Sequence, residues 1–204
     1  MSIYEDKISP LKAITNSDLP SKDLFAEITY QFDVEDSVVY LIGEIDGFTL
    51  LDMMTRIRTI LRSRPELMEL EPINMVINSE GGCVYEMLAI VDYIKSLPVP
   101  VNTAAIATAA GRINTAVILA NGTGSRYASK HSTIMFHQSS AWLQGKQADV
   151  RASIHHVSEI DIMSNALLSE KSTLSAEEWE QIQRTDYWLT ADKALEIKVI
   201  DQII

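Results

Sequence analysis

Short apolar runs alternate with longer amphipathic segments along the chain from residue 38 onward. The runs are stopped by glycine, asparagine or proline, which is typical of buried strands. The segments between them repeat their apolar residues with helical spacing. Strands that alternate with helices predict an α/β fold with a largely parallel sheet. The strands are predicted at 38–42, 73–77, 101–107 and 132–136, and the helices at 48–63, 84–94, 110–120 and 149–171, with a capping box of Ser175 and Glu178 opening one more short helix.

The composition indicates the size of the core, the partners and the compartment that we expect for this protein. With 47% hydrophobic residues, the 204-residue chain can bury the core of one domain. Its 28 acidic and 17 basic residues give a net charge of −11, and such a surface repels nucleic-acid phosphates and acidic lipid. We therefore expect no nucleic-acid partner and no membrane partner. The single cysteine, Cys83, excludes an internal disulfide and fits a reducing compartment, so we expect a cytoplasmic protein.

Neither a targeting signal nor a membrane span is predicted. Residues 1–10 are interrupted by charges and lack the apolar centre of a signal peptide. The longest apolar stretch, 104–120, is broken by Arg112 and Asn114. Residues 1–35 carry scattered charges and two prolines, which predicts a mobile N-terminal arm leading into a domain that spans 36–204.

Two strand-to-helix junctions are candidates for chemistry. Gly81 and Gly82 would let the backbone approach a ligand closely and direct its N–H groups into a cleft, although taken alone they are better explained by an ordinary tight turn. At the second junction, residues 108–111 are small and Arg112 follows them, which indicates a helix that begins close to a neighbouring backbone. Packing alone also explains this pattern. No phosphate-binding loop, dinucleotide fingerprint or Cys/His cluster is present, so we expect no cofactor and no metal.

His137 and Asp186 are the side chains best suited to acid–base chemistry. His137 follows an apolar strand directly, where a histidine is a candidate general base, or else a partly buried residue satisfied by a carbonyl. Asp186 precedes Tyr187 and Trp188, which predicts partial burial, and a buried carboxylate could orient an imidazole. The adjacent histidines 155–156 point to different faces of a helix and are expected to be solvated.

Several motifs between residues 77 and 201 carry a resemblance to a known family. They are Ile77-Asn78-Ser79-x-Gly81-Gly82, Arg126-Tyr127-Ala128, Ile134-Met135-x-His137-Gln138, Gln144-Gly145 before Asp149, and Asp186-x-x-Leu189-x-Ala191-x-x-Ala194 followed by Ile200-Asp201. Together they resemble the ClpP family, the proteolytic subunits of the ATP-dependent Clp protease, which are serine endopeptidases. The resemblance covers residues 38–204. It implies a crotonase-like superhelix of repeated β-β-α units with a protruding strand–helix handle at about 138–172.

The resemblance also implies a catalytic site with one part missing. His137 would be the base, Asp186 would orient it, and the backbone N–H groups of Gly82 and Arg112 would hold the oxyanion. The family's nucleophilic serine falls on Gly111 when counted forward from the glycine turn, and on Arg112 when counted back from His137. Neither residue has a hydroxyl.

Three functions remain open at this point. A ClpP-like subunit with weak or no peptidase activity, a pseudo-protease, is favoured by the missing serine. An active endopeptidase is the alternative if Thr115 or Thr108 serves as the nucleophile. A crotonase-fold enzyme that acts on an acyl thioester is the third.

The resemblance extends to assembly and partners. It implies a double ring of seven subunits each, a tetradecamer, either of this chain alone or mixed with active Clp subunits. The segment with Gln144 and Gly145 and the long helix from Asp149 would join the rings; Trp142 and Leu143 fit such an interface, or else an exposed loop. The resemblance also implies an AAA+ unfoldase that docks on the ring, with the N-terminal arm lining an axial pore, and peptides or unfolded proteins as substrates.

Overall fold

A five-stranded parallel sheet forms the centre of the molecule. The computed structural model describes residues 33–63, 71–109 and 113–204. The strands are β1 (Val38–Ile45), β2 (Ile73–Gly82), β3 (Val101–Ala105), β4 (Thr108–Ala109), β5 (Arg126–Ala128), β6 (Thr133–Phe136), β7 (Tyr187–Thr190) and β8 (Gln202–Ile203). The central sheet has the order β1-β2-β3-β5-β8, and each adjacent pair is parallel. The predicted α/β class with a largely parallel sheet is confirmed.

A second, smaller sheet has the order β4-β6-β7. Its first pair is parallel and its second antiparallel. The helices are α1 (Gly47–Ser63), α2 (Val84–Ser96), α3 (Ile113–Ala120), α4 (Gln147–Ser169), α5 (Ala176–Ile182) and α6 (Ala191–Glu196). The capping box that opens α5 is confirmed, because the Ser175 hydroxyl accepts from the Glu178 amide while the Glu178 carboxylate accepts from the Ser175 amide.

The hydrophobic core lies between the sheets and the helices. Three apolar residues of α1 and four of α2 are buried in this core, although Leu51 of α1 is 63% exposed. Residues 115–120 of α3 are buried on every side, because this helix packs against β2, β3, β6 and α4. The largest fully buried side chains are Trp179, Phe136, Leu41, Ile45, Met53, Ile57, Ile73, Met75, Ile77, Met87, Ile90 and Ile94.

Two strand boundaries differ from the prediction. Residues 78–82 were expected to form a turn, but β2 continues through them to Gly82 because the pairing with β1 shifts register between Ile42 and Glu44 and then resumes. The strand predicted at 101–107 is interrupted after Ala105, and Ala107 adopts a φ of +62° that an extended strand does not allow. The strands β5, β7 and β8 and the helix α6 were not predicted.

Helix α4 protrudes from the body of the protein. Almost all of its residues from 147 to 159 are exposed, whereas Ile160, Ser164 and Leu168 further along it are buried. Residues 137–146, which lead to the helix, have no regular secondary structure. The predicted N-terminal arm, 1–35, lies outside the described residues except for 33–35. In the parts of the chain that are described, no helix is long and apolar enough to cross a membrane.

Candidate functional site

The glycine turn lies where β2 ends against β1. Gly81 has a φ of +88°, which favours glycine over residues with a side chain. At Gly82 a β-carbon would lie 2.0 Å from the carbonyl oxygen of Ile45 in β1. That carbonyl accepts the amide of Cys83 at 2.8 Å, directly before α2 begins. Close backbone packing therefore requires glycine at 82, and the oxyanion role of its N–H remains a prediction.

A buried hydroxyl pair lies next to this turn. The Ser79 hydroxyl donates to the carbonyl of Gly43 at 2.5 Å and accepts the amide of Gly81 at 3.0 Å. It also accepts the Thr115 hydroxyl, from the third residue of α3, at 3.4 Å. Both hydroxyl-bearing residues are buried, Thr115 completely. The Thr115 hydroxyl thus lies in the interior of the protein, with Ser79 as its partner.

The two alternative positions at which the resemblance places the nucleophilic serine, Gly111 and Arg112, lie outside the described residues. The chain just before them is described: β4 pairs in parallel with β6, so that Thr108 lies opposite Thr133 and Ala109 opposite Ile134. The backbone of Thr108 is thereby held beside the strand that leads to His137.

The backbone brings His137 and Asp186 next to each other. Phe136 and Tyr187 form the last pair of the antiparallel β6–β7 ladder, and the two candidates are the next residue on either strand. Their side chains are nevertheless not joined: within the described residues, no hydrogen bond or ion pair links the imidazole to Asp186.

The expected partial burial of Asp186 is wrong. The residue is exposed, although in the strand that follows it Leu189 is buried and Tyr187 packs partly against the core; Trp188 is 56% exposed. The carboxylate therefore meets solvent rather than an apolar pocket.

His137 contacts a carbonyl instead. Its Nδ1 forms a hydrogen bond with the carbonyl oxygen of Gln138, the second of the two interpretations open from the sequence. The next amide, that of Ser139, donates to the Asp161 carboxylate of α4 at 3.1 Å. Sequence reasoning missed Asp161, because it lies 22 residues further along the chain and no local pattern marks it.

A side chain of α2, Tyr85, contacts the protruding half of α4. The Tyr85 hydroxyl lies 2.9 Å from Nε2 of His156, and the two rings stack at 6.1 Å. The His155 and His156 side chains are 76% and 54% exposed, as expected, and His156 has Tyr85 as a partner in addition. Gln144 and Gly145 are exposed, as is Trp142 at 91%.

Arg126 and Asp201, two residues of the motifs that carry the resemblance, are joined by hydrogen bonds away from this site. Arg126 of β5 donates to Asp201 from its backbone amide, Nε and Nη2, at 2.8, 3.0 and 2.6 Å. These hydrogen bonds hold the pKa of Asp201 below its ordinary value. The pair fastens the edge strand β8, which follows Asp201, to β5. Within the described ranges, no group of three His, Cys, Asp or Glu side chains gathers at metal-binding distance.

The comparisons with known proteins agree with this architecture. Residues 27–204 match the family model described as Clp protease. The ATP-dependent Clp protease proteolytic subunit of Porphyromonas gingivalis is 29% identical over 170 residues, which cover 83% of this chain and 74% of that protein.

Proposed function

Because the chain belongs to the Clp protease family, we propose that it is a subunit of a Clp-type proteolytic core with weak or no peptidase activity of its own. In a triad, the hydroxyl oxygen attacks the peptide carbonyl while histidine takes its proton. Neither glycine nor arginine can do this at the expected position, 111 or 112. Loss of a triad serine leaves a residual acceleration of roughly 10³–10⁴ over water, which is too little for a working protease.

The observation that carries this proposal is the enclosed hydroxyl of Thr115. An active enzyme without the usual serine needs a nearby hydroxyl that meets both substrate and base. Thr115 has no exposed surface, and its hydroxyl bonds to Ser79 rather than to His137. Thr108 is the remaining substitute, and it precedes the expected position, 111 or 112, by three or four residues.

Hydrolysis of a short fluorogenic peptide by the purified full-length protein tests the proposal. A short peptide needs no unfoldase, so the assay reports on the site alone. We expect no turnover by the parent, and turnover by Gly111→Ser or Arg112→Ser that disappears when His137→Ala is added. Turnover by the parent that is lost in Thr108→Val and in His137→Ala would overturn the proposal in favour of an active endopeptidase.

Thr115→Val is the matched control for that assay. Valine has nearly the volume of threonine and replaces the hydroxyl, whose bond to Ser79 is long at 3.4 Å, by a methyl group. Since Thr115 is buried, we expect this variant to behave as its background does, both in the parent and in Gly111→Ser. Loss of activity in Thr115→Val alone, with the fold intact, would identify Thr115 as the nucleophile.

We further propose that the chain acts within rings of the Clp type, alone or mixed with active subunits, and that a Clp ATPase docks on them. Trp142 before α4 and Ile154, Ile162 and Met163 on it expose large apolar surfaces, which supports burial against another subunit. Sedimentation of the purified chain, alone and after co-expression with an active Clp subunit, distinguishes homomeric from mixed rings. A monomer under both conditions would contradict the assembly. A cytoplasmic location remains a prediction from the single cysteine.

A further inference from the structure

One peptide group lies between the candidate base and a carboxylate of the protruding helix. Its carbonyl oxygen, that of Gln138, contacts Nδ1 of His137. Its N–H, that of Ser139, donates to Oδ1 of Asp161 at 3.1 Å. The imidazole, the peptide and the carboxylate therefore form one chain of hydrogen bonds that runs from β6 to α4.

The peptide group that precedes it, between His137 and Gln138, is held as well. The amide of Gln138 donates to the carbonyl of Gln183 at 3.0 Å, and the Gln183 side chain is buried with its amide nitrogen 3.2 Å from Oδ1 of Asn165 on α4. Residues 137–146 have no regular secondary structure, so these backbone bonds fix the segment after the strand. The hydroxyl of Ser139 is buried without a partner among the described residues, so its backbone, not its side chain, makes the anchor.

The arrangement selects one form of the histidine. An Nδ1 that faces a carbonyl oxygen carries the proton, which leaves the lone pair on Nε2, the form that a general base requires. A carboxylate that accepts the peptide N–H polarises the peptide and makes its carbonyl a stronger acceptor. Asp161 thereby favours the Nδ1–H form without touching the ring.

We propose that Asp161 orients His137 through the Gln138–Ser139 peptide and fixes its Nδ1–H tautomer. Asp161 is a positioning residue in this scheme, since it contacts neither the ring nor a substrate. Asp186, the carboxylate that the family resemblance favours, lies opposite His137 in register but is exposed and unlinked to the ring within the described residues. The proposal shares with the proposed function only the assignment of His137 as the base.

Solid-state ¹⁵N NMR of the full-length protein with labelled histidine tests this, because ring nitrogen shifts distinguish the two tautomers in an assembly of any size. The chain has four histidines, and His137→Gln identifies the signal. We expect the parent to hold His137 as Nδ1–H. Asp161→Ala should lower the ratio of Nδ1–H to Nε2–H at least about threefold, and Asp161→Asn, which keeps an acceptor but loses the charge, should lower it less.

Asp186→Ala is the matched control, since it removes the competing carboxylate and should leave the ratio unchanged. An unchanged ratio in both Asp161 variants, or a fall in Asp186→Ala instead, would overturn the proposal. If Asp161→Ala does not fold, Asp161→Asn decides, because asparagine preserves the size of the side chain. The tautomer is read without turnover, so peptide hydrolysis by the parent would refute the proposed function and leave this inference standing.

Discussion

Replacing Asp201 by asparagine should destabilise the protein by removing the charge opposite a nearly buried guanidinium. The Arg126 side chain is only 12% exposed, and two of its nitrogens donate to the Asp201 carboxylate, as does the Arg126 backbone amide. Asparagine keeps the size of the side chain but turns one oxygen into an NH2 group, which faces the donors of Arg126. The guanidinium then retains its carbonyl bond to Lys171 at 2.7 Å and loses its counter-charge.

The size of the effect follows from the exposure of the two partners. Exposed ion pairs contribute about 0–1 kcal/mol, whereas hydrogen bonds to charged groups contribute about 1.5–3 kcal/mol. Because Asp201 is 41% exposed, solvent screens the ion pair. We therefore expect a loss of stability near the lower end of the second range, at about 2 kcal/mol. For a chain of this length, that loss lowers the melting temperature by about 4–8 °C.

Thermal unfolding followed by circular dichroism measures this, at one fixed protein concentration because subunit association changes the apparent stability. Glu196→Gln is the control. Its carboxylate pairs with the Lys193 amine at 2.8 Å, close to the distances at Asp201, but both side chains are largely exposed. We expect the control to melt with the parent.

The same pair predicts a pH dependence. The pKa of Asp201 is lowered in the folded state, mainly by its hydrogen bonds to Arg126, so its contribution is fully present above the unfolded pKa and is lost as pH falls through the folded pKa. The difference between the parent and Asp201→Asn should therefore shrink below about pH 4. Equal melting of parent and variant at neutral pH, or a difference that persists unchanged into acid, would refute the reasoning.

Two other substitutions probe the packing around the candidate site. Gly82→Ala should destabilise the protein by at least about 2 kcal/mol, because the new β-carbon would overlap the backbone of β1. Gly47→Ala is the control and should be neutral or slightly stabilising, because no atom lies within 4 Å of its β-carbon. Urea unfolding compares the two variants, and equal stability would contradict the overlap. Trp179→Phe should lower the stability of the protein by about 2 kcal/mol, because it removes the indole N–H bond to the Ser172 hydroxyl at 2.8 Å and part of the packing on Phe136. A melting temperature equal to the parent's would contradict a stabilising role of these contacts.

The central elements of the fold could be predicted because their signals are local. The apolar runs of β1 and β2 and the helical spacing of α1 and α2 reflect burial that each segment carries in its own sequence. Strands β5, β7 and β8 have at most four residues each, too few for a period to emerge, and they exist because neighbouring strands supply their hydrogen bonds.

The candidate site was predictable only in part, because its geometry depends on contacts between segments as well as on local sequence signals. His137 and Asp186 stand out as residue types, and the β6–β7 register does bring their backbones together. Whether Asp186 is buried depended on which side of a four-residue strand faces the core, and its aromatic neighbours gave the wrong indication. The link from His137 to Asp161 depends on the path of an irregular segment over α4, which no sequence period describes.

The hydrogen bonds around His137 have a structural purpose that does not require catalysis. They anchor the first residues of 137–146 between the end of β6 and helix α4, where no ladder or helix would otherwise satisfy the backbone. The orientation of the ring follows from that anchoring, so it does not depend on the presence of a nucleophile. A serine introduced at position 111 would therefore meet a base whose tautomer is already set. Activity in Gly111→Ser then depends on whether residues 110–112 bring the new hydroxyl to Nε2, which makes that variant a test of the nucleophile alone.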